Sequence, residues 1–254
     1  MKIETIKSEL KIITGLHIGA GDDTMSIGGV DSPVIKREVY SDINGNVSFP
    51  IFDKNKNITN GVRFVEEPYI AGSSLKGKIR SLLEHYFELI DKKNEGKVVD
   101  SQTTFYSINR KKRDLIVELF GEGAGNKKSD NISRAIFRDC FITKDIRNAF
   151  LMGKIDLVEK KFENVINRVT GTTKKGGLRE IERVISGTIF DFDISIRIFK
   201  NDKEDLYKNS IKLGLKLLEL DALGGSGSRG YGRVEFSKIK DTIDELDKKI
   251  EEEL

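Results

Sequence analysis

Two segments of the chain alternate apolar and polar residues at period two, the pattern of half-buried strands. In residues 8–18, Leu10, Ile12, Thr14 and Leu16 share one face, and the run Gly19-Ala20-Gly21-Asp22-Asp23 ends it. In residues 188–199, Phe190, Phe192, Ile194, Ile196 and Ile198 face one way, and Asp191, Asp193, Ser195 and Arg197 face the other. The two aspartates therefore read as a solvated face, not a catalytic pair. From Ser73 the spacing changes to three and four: Leu75, Ile79, Leu82, Leu83 and Tyr86 predict a helix with Ser73 or Ser74 as N-cap. Leu206, Ile211, Leu213, Leu217 and Leu220 predict another over 205–220, and residues 114–120 a short one closed by Gly121. Residues 134–143 and 233–239 read as strands, and 165–183 as strand, turn over 171–177, strand, with a basic tip. Ile243, Leu246, Ile250 and Leu254 make the tail, 241–254, a docking helix. Residues 91–113 lose all period and read as a polar insertion, within about 85–118. Strands and helices alternating with hairpins predict a single α+β domain over 1–254, of the ferredoxin-like RNA-recognition-motif type.

Composition narrows the function classes. No run of about 18 apolar residues occurs, and the opening MKIETIKSELKI alternates like a strand, so a cytosolic protein with no membrane partner is expected. One cysteine, Cys140, excludes an internal disulfide, and two histidines beside it leave no Cys/His zinc set. Net charge is +3, but the last fourteen residues carry seven acids and two lysines, a net of −5 that leaves +8 for the rest. A basic body of that kind suits a polyanionic partner. The absence of tryptophan argues against a stacking, base-specific reader.

Candidate chemistry gathers in three places. Residues 224–232, Gly-Gly-Ser-Gly-Ser-Arg-Gly-Tyr-Gly, hold five glycines that would open the backbone to a phosphate. Gly225, Ser226, Gly227, Ser228 and Arg229 are the candidate anion contacts there, and Tyr231 would supply a stacking face. Gly72-Ser73-Ser74-Leu75-Lys76-Gly77-Lys78 matches the glycine and lysine spacing of a P-loop, yet Ile79 stands where that loop needs Ser or Thr for magnesium. The alternative is phosphate binding at a helix start by Gly72, Ser73 and Ser74, backed by Lys76, Lys78 and Arg80. Asp31, in Gly28-Gly29-Val30-Asp31-Ser32-Pro33, is either a turn residue or a carboxylate able to hold a divalent ion or assist a ribose hydroxyl. His17 is a second candidate acid, base or ligand contact.

Taken in order, Gly15 to Gly21, Gly29 to Pro33, Ile70 to Gly77, Leu119-Phe120-Gly121, Ser133 to Asp139, Phe162 to Arg168 and Gly224 to Gly230 resemble the repeat-associated RAMP family. The likeness is nearest to the backbone subunits of type III-A CRISPR (Csm) effector complexes. It implies a RAMP core with helical and lid insertions and a protruding β-hairpin thumb over about 160–185, where Asn164 and Arg168 would touch RNA. It further implies guide crRNA bound by His17, Lys76 and Arg80, and target RNA cut by Asp31 with a divalent metal, Mg or Mn, leaving a 2′,3′-cyclic phosphate. The implied partners are guide crRNA, target RNA, other copies of the chain and other effector subunits. Ala71 replaces a common proline, and residues 173–177 lengthen the thumb turn. A non-catalytic RAMP subunit, a type III-B backbone subunit and a nucleotide hydrolase using residues 72–78 stay open as alternatives.

Overall fold

A computed structural model describes residues 1–21, 30–90, 97–104, 108–122 and 132–254. Its elements run β1 (Lys2–Ile12), β2 (Lys36–Ser41), β3 (Arg63–Ile70), α1 (Gly72–Tyr86), α2 (Arg110–Phe120), β4 (Ala135–Phe137), β5 (Cys140–Ile142) and α3 (Lys144–Leu151). They continue with β6 (Val158–Ile166), β7 (Thr173–Val184), β8 (Ile189–Ile198), α4 (Glu204–Leu220), β9 (Val234–Phe236) and α5 (Ile243–Glu253). The main sheet has the order β2-β3-β5-β8-β1-β9, with β4 also on β8, and each pairing is antiparallel.

The alternating segments behave as their pattern requires. Leu10, Ile12, Phe190, Phe192, Ile194 and Ile196 line one face of the sheet, buried under Leu75, Ile79 and Leu83 of α1 and Ile211, Leu215 and Leu218 of α4. Each such side chain removed from water contributes about 1.5–3 kcal/mol. Gly214 lets the two helices meet, because a Cβ there would lie 2.5 Å from Ile79 Cγ2. On the other face Asp193 pairs with Arg138 at 3.1 Å. Glu67 is fully buried and takes charge-assisted bonds from Arg37 and Arg147, which tie β2 and β3 to α3. Helix α5 lies on α4 behind a Thr242–Glu245 capping box.

Several boundaries differ from expectation for local reasons. The first strand runs earlier, over Lys2–Ile12, since the chain leaves the sheet there and Leu16 bridges to Val184 of β7 instead. The strand read over 134–143 splits into β4 and β5 because Asp139 turns away to accept the Gly72 N–H. Helix α1 is capped by Ala71 with no side-chain acceptor, so neither Ser73 nor Ser74 is its N-cap. The hairpin β6–β7 begins at Val158, seven residues before the strand expected from the sequence, and turns at residues 167–172, where Asn167 Oδ1 accepts from Val169. Residues 173–177, expected in the turn, belong to β7. The expected 91–113 insertion lies only in part within the described residues.

Candidate nucleic-acid interface

The site is built on the free edge of β7. On that edge Leu16 exchanges two backbone hydrogen bonds with Val184, at 3.1 and 2.8 Å. The next residue, His17, places Nδ1 2.8 Å from the Glu182 carbonyl. A carbonyl only accepts, so Nδ1 carries the proton and Nε2 is the acceptor of the neutral ring.

The loop around Asp31 joins the same edge through an isolated parallel bridge between Ser32 and Ile181. Ser32 N–H donates to Glu180 O, Glu182 N–H donates to Ser32 O, and Asp31 Oδ2 accepts from Glu180 N–H at 2.9 Å. On its other side Ala20 N–H bonds Pro33 O and Ile35 N–H bonds Ile18 O. Asp31 is exposed. The flanking Gly28 and Gly29 lie outside the described residues. Among the described residues no cluster of three or more His, Cys, Asp or Glu forms a metal site. Asp31 supplies one exposed hard oxygen donor, the ligand type that an ion of the magnesium kind takes.

The glycine loop wraps the backbone of His17, whose carbonyl accepts from Gly225 N–H at 2.9 Å. A Cβ on Gly224 would fall 2.3 Å from His17 O, and one on Gly232 would fall 2.0 Å from Leu223 O. Both residues have φ near +75°, at +75° and +72°. These two glycines clear the protein's own backbone, where the sequence reading had them clear space for a phosphate. Gly225 has room for a Cβ, 3.6 Å from His17 Cδ2, and Gly230 has nothing within 4 Å. Ser226 stands in the left-handed region at the start of the 3-10 turn Gly227–Arg229.

Between this loop and the hairpin runs a groove of about 710 Å³ lined by Lys161, Glu163, Asn164, Val165, Ile166, Arg168, Arg179 and Arg229. Four cations face one acid. Glu163 accepts from Tyr231 Oη and Arg229 Nη1, both at 2.8 Å, and these bonds hold its carboxyl below the usual range. Tyr231 is 1% exposed, so the stacking face expected of it is absent from the surface. Burial, then the bond to Glu163, pushes its phenol up to about 12. Lys161 and Arg183 cover its ring at 4.2 and 4.8 Å, which makes Tyr231 the rivet between loop and hairpin.

The 72–80 segment is only partly available. Gly72 is buried and already donates to Asp139 Oδ1 at 2.8 Å, and Ser74 N–H is taken by Ala71 O. Arg80 is 8% exposed and bonds Glu84, Gly121 O and Val99 O, so it holds α1 to Val99 and Gly121. Ser73 is exposed, and Ser74 and Lys76 are half-buried. Burial, with Arg80 nearby, keeps the Lys76 amine below its ordinary value. Lys78 reaches Asp221, which opens the glycine loop, at 2.7 Å.

The structure thus joins His17 and Asp31 on β7, and Asn164, Arg168 and Arg229 in one groove. Lys161, Arg179 and Glu182 escaped the sequence reading. Reading β6 from Val158 would have exposed Lys161, since it alternates with Lys160 and Phe162 across the hairpin.

A model of the RAMP superfamily matches residues 9–235, and the chain belongs to that superfamily. Its curated relatives carry a more particular name. The CRISPR system Cms endoribonuclease Csm3 of Methanocaldococcus jannaschii is 36% identical over 231 residues, covering 91% of this chain and 77% of that protein. The protein of the same name from Streptococcus thermophilus is 38% identical over 238 residues, covering 92% and 87%. Among solved structures, a Csm3–Csm4 subcomplex of the type III-A CRISPR-Cas interference complex aligns over 92% of this chain and 74% of that chain, at 24% identity and TM-score 0.43.

Proposed function

We propose that the chain is the guide-crRNA-binding backbone subunit of a type III-A CRISPR interference complex and cleaves complementary target RNA at regular intervals through Asp31. One observation carries this reading: an exposed carboxylate is fastened by backbone bonds to the base of a projecting basic hairpin. The names of the relatives support the endoribonuclease part. In this reading residues 1–254 form one RAMP domain, with an insertion near 85–118, a thumb at 160–185 and a docking helix at 241–254. Its partners are guide crRNA, target RNA, other copies and other effector subunits. Among the described residues no helix is long and apolar enough to cross a membrane.

The groove suits sequence-neutral binding. Lys161, Arg168, Arg179 and Arg229 contact phosphates, Asn164 and the glycine loop reach ribose and phosphate oxygens, and guide bases stay free for pairing. Phe162, Val165, Ile166, Val169 and Leu178 are exposed on the hairpin and would wedge between stacked bases. Splaying the target there brings a 2′-hydroxyl in line with its own phosphate, so the strand supplies its nucleophile and the protein supplies geometry. Asp31 accepts the hydroxyl proton with its second oxygen while Glu180 N–H holds the first, and His17 Nε2 accepts from a ribose hydroxyl beside it. A bound divalent ion would neutralise charge on the phosphate. As the 2′-oxygen bonds phosphorus the P–O5′ bond breaks, and the leaving oxygen takes a proton from water, so the products are a 2′,3′-cyclic phosphate and a 5′-hydroxyl.

The test uses the assembled, guide-loaded complex with complementary RNA and magnesium. Asp31→Ala is expected to lower cleavage by about 10²–10⁴-fold, the usual worth of a positioned acid or base, with target binding retained. Regularly spaced cuts at the wild-type rate in that variant would remove Asp31 from the reaction.

A further inference from the structure

We propose that Glu182 is a positioning residue that holds the Asp31 loop in register with the thumb; this rests on the reading of Asp31 given above. Glu182 sits near the C-terminal end of β7, with its side chain 7% exposed. Four bonds converge on it from both sides of Asp31. Its Oε2 accepts from Val34 N–H at 3.0 Å, and its Oε1 from Lys36 Nζ at 2.8 Å. Its own N–H donates to Ser32 O at 3.0 Å, and its carbonyl accepts from His17 Nδ1 at 2.8 Å. Asp31 itself is clamped two residues away by Glu180 N–H.

The side-chain bonds are the ones a substitution can remove. Without the carboxylate, the buried Val34 N–H loses its acceptor, and among the described residues Lys36 keeps only Glu66, 3.9 Å away and largely exposed. An unsatisfied buried donor and an orphaned ammonium both favour release of residues 32–36 from β7. Asp31 then keeps its identity but loses its placement against the hairpin, and a misplacement of about 1 Å can lower a rate by about 10²-fold.

The experiment compares guide-loaded complexes carrying wild type, Glu182→Ala, Glu182→Gln and Asp31→Ala, and reads single-turnover cleavage, guide content and target affinity separately. Glu182→Ala is expected to cut at least tenfold more slowly, with guide content and target affinity within twofold of wild type. Glu182→Gln keeps an acceptor for Val34 N–H and is expected to fall between the two. Wild-type cutting by Glu182→Ala, or a rate loss no larger than its loss of guide and target binding, overturns the assignment. If Glu182→Ala does not assemble, Glu182→Gln decides: a rate at least threefold lower at unchanged guide content supports the role, and a wild-type rate overturns it. Asp31→Ala separates the two readings. Wild-type cutting by that variant defeats the Asp31 reading itself, whereas an inactive Asp31→Ala beside a fully active Glu182→Ala defeats only the role of Glu182.

Discussion

Gly232 and Gly225 sit seven residues apart in one loop, and the backbone requires glycine at the first but not at the second. At Gly232 a Cβ would meet Leu223 O at 2.0 Å with φ at +72°, so Gly232→Ala is expected to lose about 1–3 kcal/mol from the backbone alone, before the clash is added. Gly225→Ala, with ordinary contact at 3.6 Å, is expected to stay within about 0.5 kcal/mol of wild type in urea unfolding. Cys140 gives a pH test at the same scale. Burial, then Asp193, Asp139 and Asp191, push its thiol up to about 12, while in an unfolded chain it ionises near about 8.5. The folded pKa is the higher one, so this contribution is whole below about pH 8.5 and is lost as pH rises toward 12. Between pH 8 and 10 the urea midpoint of wild type should therefore fall more steeply than that of Cys140→Ser. Asp31, His17 and Arg229 were legible as candidates because each stands in a polar, glycine-flexed stretch. The fates of Tyr231 and Arg80 were not, since both are decided by partners far along the chain, Glu163 and Val99 among them.

At the scale of elements, the buried helices and strands were readable from their stripes, and the start of hairpin β6–β7 was not. Hairpin β6–β7 projects with both faces largely solvated, so its residues need no period-two apolar pattern, and β6 went unread before residue 165. Helix α1 against α4 is the opposite case, two stripes meeting at Gly214. Gly214→Ala gains about 1 kcal/mol of helix propensity, but its Cβ would press on Ile79 Cγ2 at 2.5 Å and on Leu83 at 3.2 Å. Overpacking of that kind costs about 1–3 kcal/mol, so a net loss of thermal stability is expected. Arg229 joins the loop to β6 through one exposed ion pair with Glu163, worth about 0–1 kcal/mol. Arg229→Ala should leave the unfolding midpoint nearly unchanged and weaken guide retention, with cut positions unmoved. Unchanged RNA affinity at every salt concentration would place the guide away from this residue.

Over the whole molecule, the α+β class follows from alternation and stripes, but strand order does not. β1 pairs with β8 and β9 from the far end of the chain, and no local pattern encodes partners separated by most of the sequence. The same long-range pairing turns a modest net charge into a directed field. The acidic tail folds as α5 against α4, where Asp241 is held by Lys212 and Lys249, while the groove collects Lys161, Arg168, Arg179 and Arg229 around a single acid that already has partners. Binding there should be governed by counterion release, with log K falling against log salt by about 0.7 per phosphate neutralised on a single strand. Replacing Arg168 and Arg179 together by alanine removes two cations with no recorded ion pair among the described residues. Filter binding of guide-length RNA between 50 and 300 mM salt, roughly the range in which this effect is largest, should show the slope reduced by about 1.4, equally for unrelated sequences. A loss of affinity at every salt concentration with the slope unchanged would mean that the two arginines shape the hairpin, and that the phosphates lie along another face.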